Sequence, residues 1–344
     1  MTALPLTTPS DSLRQALLTI QQDGRGIALL LPPDGRLAGV VTDGDVRRAF
    51  LAGMGLETTV AELLAARTPV SPVTARAGTS REALVGTMRG LGIRQLPLVD
   101  AAGLVVGLAT LDELAGESQP LAVLMAGGRG ERLRPMTDDC PKPMLSIGGR
   151  PLLEHTIARL RQAGITRVNI TTRYLGDQIE AHFGDGDGFG VEVRYTTEDQ
   201  PLGTAGALGL IDHGSGPLLV SNADLLTTID YGAFLRYHRA ENADLTVAVR
   251  REEWPIKSGV VEVSGGRVVE IIEKPMAGLL INAGIYLVEP YVAERVRVGR
   301  CDMPHVIEAL LRMGRPVVAF PLVLESWADI GTADDYARVQ GEVE

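Results

Sequence analysis

The chain has almost no cysteine, almost no lysine and no surplus of positive charge. Two cysteines among 344 residues, Cys140 and Cys301, are too few for a disulfide framework or a cysteine metal cluster and point to a reducing cytoplasm. A formal net charge of −10, with no basic tract to offset it, argues against a nucleic-acid partner. No apolar run approaches the ~18 residues of a membrane span. The opening MTALPLTTPS has neither a basic n-region nor an apolar h-region, so neither a signal peptide nor a membrane partner is expected. Of the 33 basic residues only Lys142, Lys257 and Lys274 are lysine, as if a compact point charge were kept where it is needed. Apolar content of 45% leaves ample material for a core, and the length suits two domains.

What is present centres on Leu121–Leu145, LAVLMAGGRGERLRPMTDDCPKPML. The apolar run Leu121–Met125 reads as a buried strand. Ala126, Gly127, Gly128 and Gly130 follow it directly, where glycine lets the backbone turn tightly and present bare N–H groups to a ligand. Arg132 and Lys142 add positive charge suited to a polyphosphate. The spacing is not that of other phosphate loops. Leu133 stands where a dinucleotide fingerprint needs its third glycine, and no Gly-Lys-Ser/Thr exists for a P-loop.

The segment resembles the signature of the sugar-1-phosphate nucleotidyltransferases. The resemblance continues through the chain to about residue 340, at Gly203-Thr204-Ala205-Gly206, Asp224, Glu273-Lys274-Pro275, Asn282-Ala283-Gly284 and Trp327-Ala328-Asp329. Alternation of strands and helices after Leu121 independently predicts a mostly parallel sheet covered on both faces. The turn 184–188 has calcium-loop spacing, but Phe189 and Thr196 occupy ligand positions, so a polar turn is expected.

Residues 12–46 and 80–114 superpose under an ungapped shift of 68 positions, placing Ser12 on Ser80, Gly24 on Gly92, Gly35 on Gly103, Gly39 on Gly107 and Thr42 on Thr110. Each copy reads helix, strand, turn, strand, helix. The pattern resembles a tandem pair of CBS domains (a Bateman module). Its repeats cover about 1–60 and 61–116, and the polar break Gly116–Pro120 separates it from a transferase domain at 121–344. The resemblance implies an adenine nucleotide held by Thr42 and Asp45; Thr110 matches too, but Glu113 replaces the second aspartate. A purely structural or dimerising module fits the residues equally well, and back-to-back CBS pairing implies a homo-oligomer.

For the transferase domain the resemblance implies transfer of a nucleoside monophosphate from NTP to a sugar 1-phosphate, with pyrophosphate released. Backbone groups at 127–130, with Arg132 and Lys142, would hold the triphosphate. Gly203, Thr204 and Ala205 would lie against the base, in a form resembling the guanylyltransferase branch. Glu273, Lys274, Asn282 and Gly284 would hold the sugar phosphate. Asp224 and Asp329 would hold Mg²⁺. As a bare sequence feature, an aspartate after a strand is more often a helix cap; the resemblance is what makes Asp224 a metal ligand. GTP is the expected donor, with thymidylyl, uridylyl or cytidylyl transfer as alternatives and a non-catalytic nucleotide sensor as the alternative of another class. Mannose, a heptose and an amino sugar all fit, and the CBS attachment tilts toward surface-glycan or nonulosonate precursors.

Overall fold

The structure, a computed structural model, describes residues 3–67, 71–116 and 118–343. Of the expected boundary segment 116–120, Glu117 lies outside the described residues.

The N-terminal unit is built twice on one plan. Strands Leu6–Thr7, Ile27–Leu30 and Gly39–Thr42 form the first sheet; Ala75–Arg76, Gln95–Val99 and Val105–Thr110 form the second. In each, the first strand runs parallel to the second and the third runs antiparallel to it. The repeat seen in sequence is a repeat of helix start and stop signals. Ser12 and Ser80 cap helices Leu13–Asp23 and Arg81–Leu91, accepting from the N–H of Gln15 and Ala83. Gly24 and Gly92 end those helices in the left-handed region, at φ 78° and 66°. Thr42 and Thr110 then cap helices Asp43–Leu51 and Leu111–Ala115. Each copy has its own core, around Leu17, Ile20 and Val46 in the first and around Met88 and Leu96 in the second.

The C-terminal unit is a seven-stranded sheet: β1 (Leu121–Met125), β2 (Arg167–Thr172), β3 (Glu192–Thr197), β4 (Leu218–Asn222), β5 (Leu245–Pro255), β6 (Met276–Val288) and β7 (Val317–Pro321), in the order β3-β2-β1-β4-β6-β5-β7. Every pairing is parallel except those of β6, which is antiparallel to both neighbours. Helices Leu152–Gln162, Gly176–Phe183 and Tyr231–Ala240 close one face over Leu124, Ile170 and Leu219, while Met303–Arg312 and the Ala205–Leu208 turn close the other over Val123 and Val220. The fold is therefore α/β, with a smaller α+β unit in front. Beyond residue 250, β5 and β6 leave the sheet as a two-stranded arm that continues into the hairpin Val260–Ser264/Arg267–Ile272.

The two units are tied together by one fully buried cation. Arg47 donates to Asp43 and Glu325, each at 2.8 Å, and to the Pro321 carbonyl, and its guanidinium stacks 3.7 Å from the Phe320 ring centroid. Val323 and Leu324 pack against the first repeat's core beside it.

Candidate active site

In an open α/β sheet the carboxyl ends of the strands form the ligand crevice. Here the ends of β1, β2, β3 and β4 deliver the loop 126–130, Arg173, Glu198 and Asp224 to one rim. A short antiparallel pairing, Leu225–Thr227 with Trp327–Asp329, brings Asp329 opposite Asp224. The resulting cavity holds about 690 Å³ and is lined by Gly128, Gly130, Arg132, Lys142, Arg173 and Asp224, among others.

Two features of this cavity are electrostatic. None of the N–H groups from Gly127 to Gly130 donates to an acceptor among the described residues, so the loop after β1 presents a row of free donors. Lys142, on a 3-10 turn fixed between Pro141 and Pro143, places its buried Nζ 2.5 Å from Asp224 Oδ2 and 3.8 Å from Asp329 Oδ1. The other oxygen of Asp224 and the near oxygen of Asp329 are buried without a hydrogen bond. Burial and the neighbouring Asp224 charge push the Asp329 carboxyl above its usual value, against the pull of Lys142 and Arg132. Two under-satisfied carboxylates facing each other across an ammonium are a donor set for a hard divalent cation. No cluster of three or more His, Cys, Asp or Glu able to hold a metal occurs among the described residues. That donor count fits Mg²⁺, which takes one or two carboxylates and completes its shell with water and substrate phosphates.

Arg132 makes no hydrogen bond or ion pair among the described residues and lies against Gly331, where a Cβ would come 3.4 Å from its Nη2. Gly127 faces Glu198 with equal economy: a Cβ there would meet Glu198 Oε1 at 3.0 Å. The close packing accounts for glycine at 127, whereas Gly128 faces open space.

The loop 203–207 is held by residues distant in sequence. It forms one helical turn, Gly203–Gly206, with no cap from its own preceding residue. Asp302 supplies the acceptor instead, taking the Thr204 N–H at 2.9 Å, while the Cys301 carbonyl takes those of Ala205 and Gly206. The glycines serve this contact, since a Cβ on Gly206 would sit 2.0 Å from the Gly299 carbonyl oxygen. The N–H groups of Thr204 and Ala205 are thus engaged inside the protein.

The remaining expected residues are spread over other places. Asn282 donates to the Tyr286 hydroxyl and accepts from the Gly284 N–H, bracing the register shift of β6 against β5 where Gly284 adopts φ 73°. Glu273 and Lys274 are exposed on the arm and do not line the cavity; Lys274 has φ 46°. Thr42 and Asp45 line a second cavity, between the repeats, where they also form a reciprocal helix cap. Thr110 is buried as a cap and lines no part of that cavity. Arg173 and Glu198 escaped the sequence reading. Their one signal is position, directly after a strand's carboxyl end.

A nucleotidyl transferase family model matches residues 121–344, and a CBS domain model matches residues 2–52. A mannose-1-phosphate guanylyltransferase of Mycobacterium tuberculosis is 37% identical over 228 residues, covering 63% of this chain and 62% of that protein. A probable mannose-1-phosphate guanylyltransferase 2 of rice (Oryza sativa subsp. japonica) is 32% identical over 226 residues, with 62% of each chain covered. The chain thus spans less than two-thirds of the length of these relatives. The crystal structure of HddC from Yersinia pseudotuberculosis shares the fold, with a TM-score of 0.53, 24% identity, and coverage of 66% of this chain and 100% of that one. The chain belongs to the nucleotidyl transferase family, with a CBS domain at its N-terminus.

Proposed function

We propose that the protein transfers GMP from GTP to a sugar 1-phosphate, giving a GDP-sugar and pyrophosphate. The observation that carries this reading is the Lys142–Asp224–Asp329 group set opposite the free N–H row of 127–130. Kinship with mannose-1-phosphate guanylyltransferases supports guanine as the base and mannose as the first sugar to test.

The nucleophile is a phosphate oxygen, anionic already near neutral pH, so the protein needs no general base. Its task is to align two polyanions and neutralise the charge that grows around the α-phosphorus. The N–H groups of 127–130 and Arg132 bind the triphosphate, and Arg173 adds a further cation on the same rim. Lys142 orients Asp224 and Asp329 and lends its charge to the leaving pyrophosphate. Lys274 and Glu273 serve the sugar phosphate and sugar from the arm, and Asn282 and Gly284 shape its base. Asp224 and Asp329 would hold Mg²⁺, which supplies Lewis-acid polarisation of the phosphoryl oxygens when bound. In this reading the N-terminal repeats sense an adenine nucleotide at Thr42 and Asp45, and the enzyme works in the cytoplasm, as a homo-oligomer, on precursors of surface glycans or nonulosonates.

The test is pyrophosphate release with Mg²⁺ across the four NTPs and dTTP, each against mannose, glucose, glucosamine and heptose 1-phosphates. Turnover with GTP and one sugar bears the reading out. Turnover only with another NTP would overturn the guanine assignment, and silence across the panel would overturn the enzyme.

A further inference from the structure

The cavity between the two repeats is not enclosed by the repeats alone. It holds about 350 Å³, and beside Asp45, Arg48 and Arg67 its wall includes Arg236 and Tyr237, from the helix Tyr231–Ala240 of the transferase unit. That volume lies at the small end of ligand cavities and suits a mononucleotide.

The cations on this wall are not equivalent. Arg48 is satisfied by Asp45 and Glu241, and Arg67 pairs with Asp45 at 3.1 Å. Arg236 is held more loosely: its Nε and Nη2 are buried without a hydrogen bond, and its ion pair with Asp230 is long, at 3.9 Å. Gly26, at φ 80°, leaves the space the guanidinium takes, since a Cβ there would lie 2.9 Å from Nε. Two buried guanidinium nitrogens with idle donors are costly to the fold, and a phosphate offers the paired acceptors that match the planar fork.

We propose that the transferase unit completes the nucleotide site of the repeats, with Arg236 holding the phosphate of an adenosine mononucleotide whose ribose lies toward Asp45. This rests on the reading of the repeats as an adenine-nucleotide site given above. Both walls of the cavity end on one segment. The helix that carries Arg236 also sets Phe234 and Tyr237 against the Phe320 ring, at 4.9 and 5.4 Å between centroids. The helix that carries Asp45 also carries Arg47, bound to Pro321 and Glu325 and stacked on Phe320. Segment 320–325 continues directly into Trp327 and Asp329. Filling the cavity therefore bears on the strand that positions a catalytic carboxylate.

Calorimetric titration of the full chain with AMP, ATP, GMP and inorganic phosphate tests this. The wild type binds AMP; Arg236→Ala weakens it by at least about tenfold, Arg236→Lys recovers part of the loss, and Asp45→Ala also weakens it. Hydrogen exchange on the wild type needs no variant: AMP should slow exchange across 231–240 and 320–329. AMP binding equally to wild type and Arg236→Ala, or leaving 231–240 unprotected, overturns the shared site while the repeats remain a nucleotide site. Failure of every adenine nucleotide to bind the wild type overturns both.

Discussion

Lys142 Nζ lies 2.5 Å from Asp224 Oδ2, joining a residue 17 positions beyond the end of β1 to one just past the end of β4. The contact closes the rim between two adjacent parallel strands and fixes the carboxylate before any substrate arrives. Lys142→Ala should therefore lose turnover through two routes, a missing cation and a released Asp224. We expect kcat to fall by roughly 10²-fold, about 3 kcal/mol, with the fold intact by circular dichroism. Near-native kcat would remove Lys142 from the machinery.

Lys274 sits apart from that rim, on the exposed arm, so its contribution should be separable. Lys274→Ala should raise KM for the sugar 1-phosphate by about tenfold and leave KM for GTP within about twofold, the pattern of a lost charge-assisted contact. Equal effects on both substrates would mean that the arm does not serve the sugar phosphate.

The contact of Gly206 with the Gly299 carbonyl leaves no room for a side chain. Gly206→Ala must push segment 296–302 away from the loop, at a cost of about 1–3 kcal/mol. Thermal unfolding should show the loss, and weaker GTP binding should accompany it. An unchanged melting temperature would contradict the packing described.

The Arg47–Glu325 pair gives the chain an acid-sensitive joint. Burial opposes the Glu325 charge, but Arg47 outweighs it and holds the carboxyl below the ordinary 4.5. The folded state thus binds its proton less readily than the unfolded chain. The pair's stabilisation is complete above about pH 4.5 and is lost as pH falls through the lower folded value. Arg47→Met should destabilise the protein by about 3–5 kcal/mol at neutral pH, because Asp43 and Glu325 are left buried and uncompensated. It should also flatten or reverse the acid dependence between pH 5 and 3. Melting curves across that range, for wild type and variant, decide the matter; parallel curves would contradict the joint.

The parts of the molecule readable from sequence are those fixed locally. Ser12, Ser80, Thr42 and Thr110 cap helices because a short polar side chain reaches its own third residue, which no tertiary contact need arrange. The run Leu121–Met125 is apolar throughout because both faces of β1 are covered, and the glycines after it announce the loop. What the sequence hid depends on distant partners. The loop 203–206 borrows its cap from Asp302, almost a hundred residues away, so no local pattern marks it. Arg173 and Glu198 become site residues only once β2 and β3 are aligned beside β1. Arg236 reads as one more arginine on an amphipathic helix until that helix is placed against the repeats.

The role of Asp224 in nucleotidyl transfer is tested by comparing wild type with Asp224→Asn in GDP-sugar formation, from GTP and mannose 1-phosphate with Mg²⁺, following pyrophosphate and the nucleotide sugar together. The wild type should form equal amounts of both products, and a variant that still folds should form them at a rate at least roughly 10²-fold lower, about 3 kcal/mol. Wild-type turnover that Asp224→Asn leaves unchanged would contradict the site described here.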